Sequence, residues 1–285
     1  MTAPALTKRI WWILFRNEWF KARKRLAFLL PLGFYLFVTF INHFGPAWQA
    51  RDDPDRSYTL PEAWSRVFGE DQSMMLLLFA GVCLVMLVSS EFTWRTARQN
   101  VIDGLSKTQW LVGKAMLVPF LGLVFLSLAM TIGFVISFLG TDLAAASGPI
   151  ISVGVFKAAG GMLLAFLSVG GLALFVSLSV RGAGGAIATW FLWIFLIEGV
   201  IVPQLLGRID WLRDYLQYQP FTVAQRLFGL ENYDPAAFQR LVEAREAAER
   251  PAPVLADLTG VLWINAGWAA LFFLGAFVIF RRRDL

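Results

Sequence analysis

Six long runs almost free of charge constrain this chain more than any motif in it. They lie at about residues 26–44, 73–90, 113–139, 151–178, 186–207 and 257–280. A helix needs about 20 apolar residues to cross a hydrocarbon core of about 30 Å, and each run comes close to that or exceeds it. The third and fourth are long enough to tilt or protrude. Hydrocarbon offers no partner for a free N–H or C=O, so apolar runs of this length predict helices. The expected fold is an all-α membrane protein with six transmembrane helices. With 58% of the 285 residues hydrophobic, the composition excludes an ordinary soluble domain.

Lys and Arg set the expected orientation. Fifteen fall on one side of the spans, in the N-terminal flank, the 91–114 connection, the loop at Arg181 and the tail Arg281–Arg283; nine fall on the other. The short positive segments beside span ends predict that both termini and the 91–114 connection are cytoplasmic. The chain is thus expected in the cytoplasmic membrane, with the acidic loop 45–72 facing outward (Asp52, Asp53, Asp55, Glu62, Glu70 and Asp71). The net charge of +5 is gathered at segment ends, which does not point to nucleic acid.

Residues 1–25 precede the six-span domain 26–285. They mix Ile10, Trp11, Ile13, Leu14, Phe15 and Trp19 with Lys8, Arg9, Arg16, Lys21, Arg23, Lys24 and Arg25. Such a segment predicts a basic amphipathic helix lying in the plane of an anionic leaflet, or a positive flank that orients the first span. No small-residue cleavage site follows a short apolar core, so a removable leader is not expected. Between spans five and six, the outward region 208–256 predicts two short external helices joined by a turn at Gln219 to Phe221. Asp234-Pro235 opens the second of them, and Trp211, Leu212, Tyr215 and Leu216 form a short amphipathic piece.

The polar island Glu91 to Lys114 reads as helix, break, helix. Glu91 and Arg95 have the spacing of a helical ion pair. Gly104 suits a left-handed helix end, and Ser106 with Gln109 forms a capping-box pattern that restarts a helix before Trp110. The elbow between them carries Val101, Ile102 and Leu105. On spacing alone it is either an ordinary connection or a docking knob for a cytosolic partner.

Little else promises chemistry. The run RGAGGA at 181–186 lacks the Gly-Lys-Ser/Thr of a P-loop, and there is neither an HExxH helix nor a GxSxG elbow. The lone Cys83 excludes a disulfide and a cysteine metal site, and the lone His43 is expected at a membrane interface. Glu198 lies deep in the fifth run, where a carboxylate costs a few kcal/mol unless paired, protonated or facing a cavity; it lines a path or bonds a neighbouring helix. Gly199 and Pro203 predict a kink there. Lys157 is expected to snorkel. The small residues of the fourth run (Gly160, Gly161, Ala165, Gly170, Gly171) predict close helix packing or a sliding surface.

With six spans, a leading amphipathic segment and Glu91…Arg95-Thr96…Asp103-Gly104-Leu105-Ser106…Gly113-Lys114 between spans two and three, the chain resembles a known family. That family is the permease subunit of ATP-binding-cassette transporters of the second exporter-like class. The Arg-Arg-Arg-Asp-Leu tail is also typical. Two positions depart: Arg95 stands for the usual Gly before the threonine, and Gly104-Leu105 for the usual Pro-Val before the serine. The resemblance implies two permease copies, forming a homodimer, that work with two copies of a separate ATPase binding ATP and Mg. It implies a coupling helix at 98–108, with Arg98, Val101, Ile102, Asp103, Gly104, Leu105 and Ser106 in an ATPase groove. The permease itself would hold no cofactor and catalyse nothing. An alternative is a force-transmitting subunit acting on an external accessory protein. An autonomous secondary transporter fits less well, since Glu198 is alone at depth and no inverted repeat is visible.

Overall fold

The computed structural model describes residues 3–52, 58–140, 151–180, 182–209, 214–251 and 254–282. Asp53, Asp55, Arg181, Trp211, Leu212 and Arg283 lie outside them. Six helices among the described residues are long and apolar enough to cross a membrane. The chain opens with α1 (Ala3–Ala22), turns at Arg23–Arg25 and runs into α2 (Leu26–Asp52). A short α3 (Leu60–Val67) leads to α4 (Glu70–Thr93), the small α5 (Thr96–Ile102) and the long α6 (Lys107–Gly140). Then come α7 (Val153–Ser179) and α8 (Ala183–Phe191), which continues as a π-helical stretch, Leu192–Ile201, and α9 (Val202–Leu206). A 3₁₀ turn (Asp214–Tyr218), α10 (Pro220–Gln225), a second 3₁₀ turn (Leu230–Asn232), α11 (Pro235–Ala247) and α12 (Leu258–Arg282) complete it.

Helices α4 and α7 are the most buried of the spans and form the centre, while α2, α8 and α12 turn most of their apolar surface outward. Glycines set the closeness of that centre. A Cβ on Gly81 would strike the ring of Trp190, and one on Gly170 would stand 2.5 Å from Val118 Cγ1. Small residues therefore mark tight helix crossings, the packing expected of the fourth run. A polar link joins α7 to α12: Asn265 of α12 donates to the Leu164 carbonyl at 2.7 Å and accepts from Ser168 at 2.5 Å.

Several expectations need correction. The first span does not stop near residue 44 but continues through Pro46 to Asp52. Its His43 is fully buried within the protein, 2.5 Å from the Tyr58 hydroxyl. Helix α3 covers it, and Gly133 of α6 leaves room for it, since a Cβ there would lie 3.1 Å from His43 Cε1. Helix α3 itself lies within what read as a loop; its Leu60, Ala63, Trp64 and Val67 are buried. In the fifth span the irregularity is the π stretch, which contains Gly199 and ends just before Pro203. Proline removes the N–H that an α-helix would return to the carbonyl four residues back, so the regular ladder cannot run through this point.

The region after the fifth span is also more deeply folded than two external helices joined by a turn. Gln219 to Phe221 does not make the joining turn. Pro220 is the first residue of α10, a position that needs no N–H. Phe221, Val223, Ala224, Leu227, Phe228 and Leu230 are buried, and α10 packs on α7 and α12. Asp234 does open α11, accepting from Ala236 N at 3.0 Å. Its other oxygen takes the Ser152 hydroxyl at 2.7 Å, tying this region to the start of α7. The Ser152 bond, together with the backbone donors of α11, holds the Asp234 carboxyl below the usual range.

Candidate functional site

The elbow between α4 and α6 is closed at both ends by backbone chemistry. Arg95 sits in the left-handed region (φ 57°), which stops α4 and redirects the chain into α5. Gly104 follows α5 at φ 103°. Its N–H bonds the Val101 carbonyl at 3.1 Å, and the Leu105 N–H reaches the Asn100 carbonyl at 3.1 Å. These are the two crossing bonds of a Schellman helix end, which only glycine enters without strain. Two residues on, the Ser106 hydroxyl accepts from Gln109 N at 3.1 Å while the Gln109 amide oxygen accepts from Ser106 N at 2.9 Å. The capping box forms as the spacing indicates.

Behind this elbow lies a cluster of buried charge. Glu91 does not pair with Arg95, whose backbone turns away at the helix break. It points into the bundle, 1% exposed, and takes Lys114 Nζ at 2.5 Å, Trp110 Nε1 at 3.0 Å and Asn100 Nδ2 at 3.5 Å. Arg25 adds a cation at 3.8 Å. Lys114, 2% exposed, is shared with Glu18 of α1, which Lys21 also approaches at 3.4 Å. Burial drives the Glu18 carboxyl upward, but the neighbouring Lys114 and Lys21 more than offset it and leave it below the usual range. Two carboxylates face Lys114 and Arg25, so the core of the cluster is electrically balanced. That balance is the condition for holding buried charges at tolerable cost.

Five segments meet here: α1, the turn at Arg25, the end of α4, α5 and the start of α6. Aromatic rings extend the brace. Trp110 stacks on Phe280 of α12 at 4.6 Å and lies 5.2 Å from Lys114 Nζ, while Trp19 of α1 packs edge-on to Phe120 of α6 at 4.7 Å. Between α1 and the elbow opens a cavity of about 550 Å³, lined by Leu14, Asn17, Glu18, Phe20, Asn100 and Leu105 among others.

Of the residues anticipated at the elbow, Arg98, Asp103, Gly104 and Ser106 are exposed and Val101 and Leu105 half-buried. Ile102 turns a 66% exposed side chain outward. Glu18, Arg25, Asn100 and Trp110 were not anticipated. The one available signal was Glu18 itself, the sole acid in a basic N-terminal segment. Glu198 belongs to a different place. Its Oε1 accepts from Trp193 Nε1 at 2.7 Å and its Oε2 from the Phe221 N–H at 2.9 Å. It thus fastens α10 to the fifth span, the helix-bonding alternative of the two expected. Lys157 is exposed.

The elbow cluster contains no nucleophile and base in contact. It is a short capped segment whose exposed tip is backed by charges that link α1, α4 and α6. Compared with protein-family models and with characterised proteins, the chain matches none.

Proposed function

We propose that this chain is the membrane permease subunit of an ATP-driven exporter and that the elbow is the handle on which a separate ATPase acts. The observation that carries the reading is the elbow's two-sided closure together with the buried Glu18–Lys114–Glu91 brace behind it. A loop that merely connected two spans would need neither. A handle must transmit displacement rather than absorb it, and a capped helix on a charge-locked base does so.

In this reading the elbow, α1 and both termini are cytoplasmic, and the membrane is the cytoplasmic membrane. Ile102 supplies an exposed apolar tip, and Leu105 lines the 550 Å³ cavity next to it. ATP and Mg sit on the partner, present in two copies, and a second permease copy completes the path. Closure of the ATPase pair pushes the elbow, and the brace passes the push to α1, α4 and α6 together. Leu105→Asp places a charge at the apolar tip, and capture of the ATPase by the tagged chain is expected to fall at least tenfold. Undiminished co-purification of an active ATPase would remove the contact from the account.

The folded region 214–251 favours one second reading, in which the same handle drives work on an external protein without any substrate crossing. Substrate-stimulated ATP hydrolysis in liposomes that lack an external partner separates the two in favour of export.

A further inference from the structure

At the end of the bundle opposite the elbow, about 30 Å away along α4 at 1.5 Å per residue, lies a second pocket. It measures about 330 Å³ and is bordered by the first turn of α4, the end of α10, the Leu230–Asn232 turn, α11 and residues 254–256. Two carboxylates line it, Glu70 and Glu231, and two guanidiniums, Arg226 and Arg245. These four do not neutralise one another: among the described residues none of them forms an ion pair. Arg226 bonds the neutral Gln217 amide at 3.1 Å, and Arg245 the Pro251 carbonyl at 3.4 Å. Phe238 and Leu241 of α11 supply an apolar wall.

The pocket is also built rather than incidental. Its floor is Gly229, at φ 91°, whose N–H bonds the Phe68 carbonyl at 2.9 Å and so joins the floor to the turn before α4. The Glu231 carboxylate folds against this glycine so closely that a Cβ would collide with it. Asn232 staples the sides, donating to the Phe228 carbonyl at 2.5 Å and accepting from Ala256 N at 3.3 Å.

Guanidiniums bind carboxylate and phosphate through paired N–H donors, and carboxylates receive ammonium groups. A pocket that offers both, unspent, together with an apolar wall, is complementary to a ligand carrying both charges. We infer that this pocket binds a small zwitterion, a primary ammonium joined to a carboxylate or phosphate, with Arg226 and Arg245 on the anion and Glu70 and Glu231 on the ammonium. The inference does not depend on an ATPase partner and stands or falls separately.

Two soluble probes test it on the purified full-length chain in nanodiscs by calorimetric titration: phosphoethanolamine and leucine. At least one is expected to bind ten times or more tighter than ethylamine, inorganic phosphate or acetate. The double variants Arg226→Gln/Arg245→Gln and Glu70→Gln/Glu231→Gln are each expected to weaken it at least tenfold. Glu70→Gln alone, at an exposed position, serves if a double variant fails to fold, with a loss of about threefold or more. If both probes bind no better than the single-charge controls, or the Gln variants leave the affinity unchanged, the inference is overturned. Nanodiscs with and without phosphatidylethanolamine identify the source. A probe affinity that drops when that lipid is present marks a lipid headgroup as the natural occupant, and an unchanged affinity marks a free solute.

Discussion

A Lys114→Met variant is expected to lose about 3–5 kcal/mol of stability, the usual penalty for removing one partner of a buried ion pair. Methionine fits the stem of the lysine, so the effect isolates the charge. Without the ammonium, Glu18 and Glu91 confront each other at a largely buried position, with only Lys21 and Arg25 near them. Unfolding of the detergent-solubilised chain by a denaturing surfactant measures the loss. The triple variant Lys114→Met/Glu18→Gln/Glu91→Gln, which removes the orphaned charges too, is expected to recover much of it. A single variant as stable as the parent would show that the brace does not hold. The pH dependence follows with a definite sign. Because Glu18 titrates below the usual carboxylate range in the folded chain, the parent keeps the full benefit above that range and loses it as the pH falls through the lowered value. In the Lys114→Met variant that acid-side decline should flatten.

Replacing Glu198 with alanine is expected to cost about 2–3 kcal/mol, because the buried Phe221 N–H and the part-buried Trp193 N–H lose their acceptor. The loss is local. Phe221 is the second residue of α10, where no carbonyl of its own helix can receive its N–H. The Glu198 carboxylate takes that role from the fifth span. Hydrogen exchange read at Phe221 and Val223 is expected to rise at least tenfold in the variant, while exchange in α4 and α7 stays as it was. Protection unchanged at Phe221 would show that the bond does not hold α10. Glutamine keeps one oxygen for two donors, so Glu198→Gln should fall between the parent and alanine.

The spans were legible because lipid makes length and lack of charge decisive, whatever the period of the pattern. The elbow's ends were legible as well, since Gly104 and the Ser106–Gln109 pair act through backbone bonds only a few residues long. What escaped was distant. Local spacing offers Glu91 a partner four residues on, worth about 0.2–0.5 kcal/mol on a helix surface. The break at Arg95 cancels that pairing, and the buried Lys114, 23 residues away, replaces it. Glu18 meets Lys114 across 96 residues, a separation no local rule reaches. Helix α3 escaped because eight residues beginning Leu-Pro are too short to show a period. The α10 start was taken for a turn because proline serves both, and only the burial of Phe221 tells them apart. Glu198 announced its cost in the sequence, but its partners required the fold.

The central claim, that an ATPase grips the elbow, is tested most directly at Ile102, the most exposed apolar side chain of the tip. A photo-crosslinking amino acid placed there in intact cells is predicted to yield one dominant adduct, containing a cytosolic nucleotide-hydrolysing protein, which the Leu105→Asp change removes. Adducts with lipid alone, or labelling of a cysteine at position 102 by a membrane-impermeant reagent from outside the cell, would contradict the account.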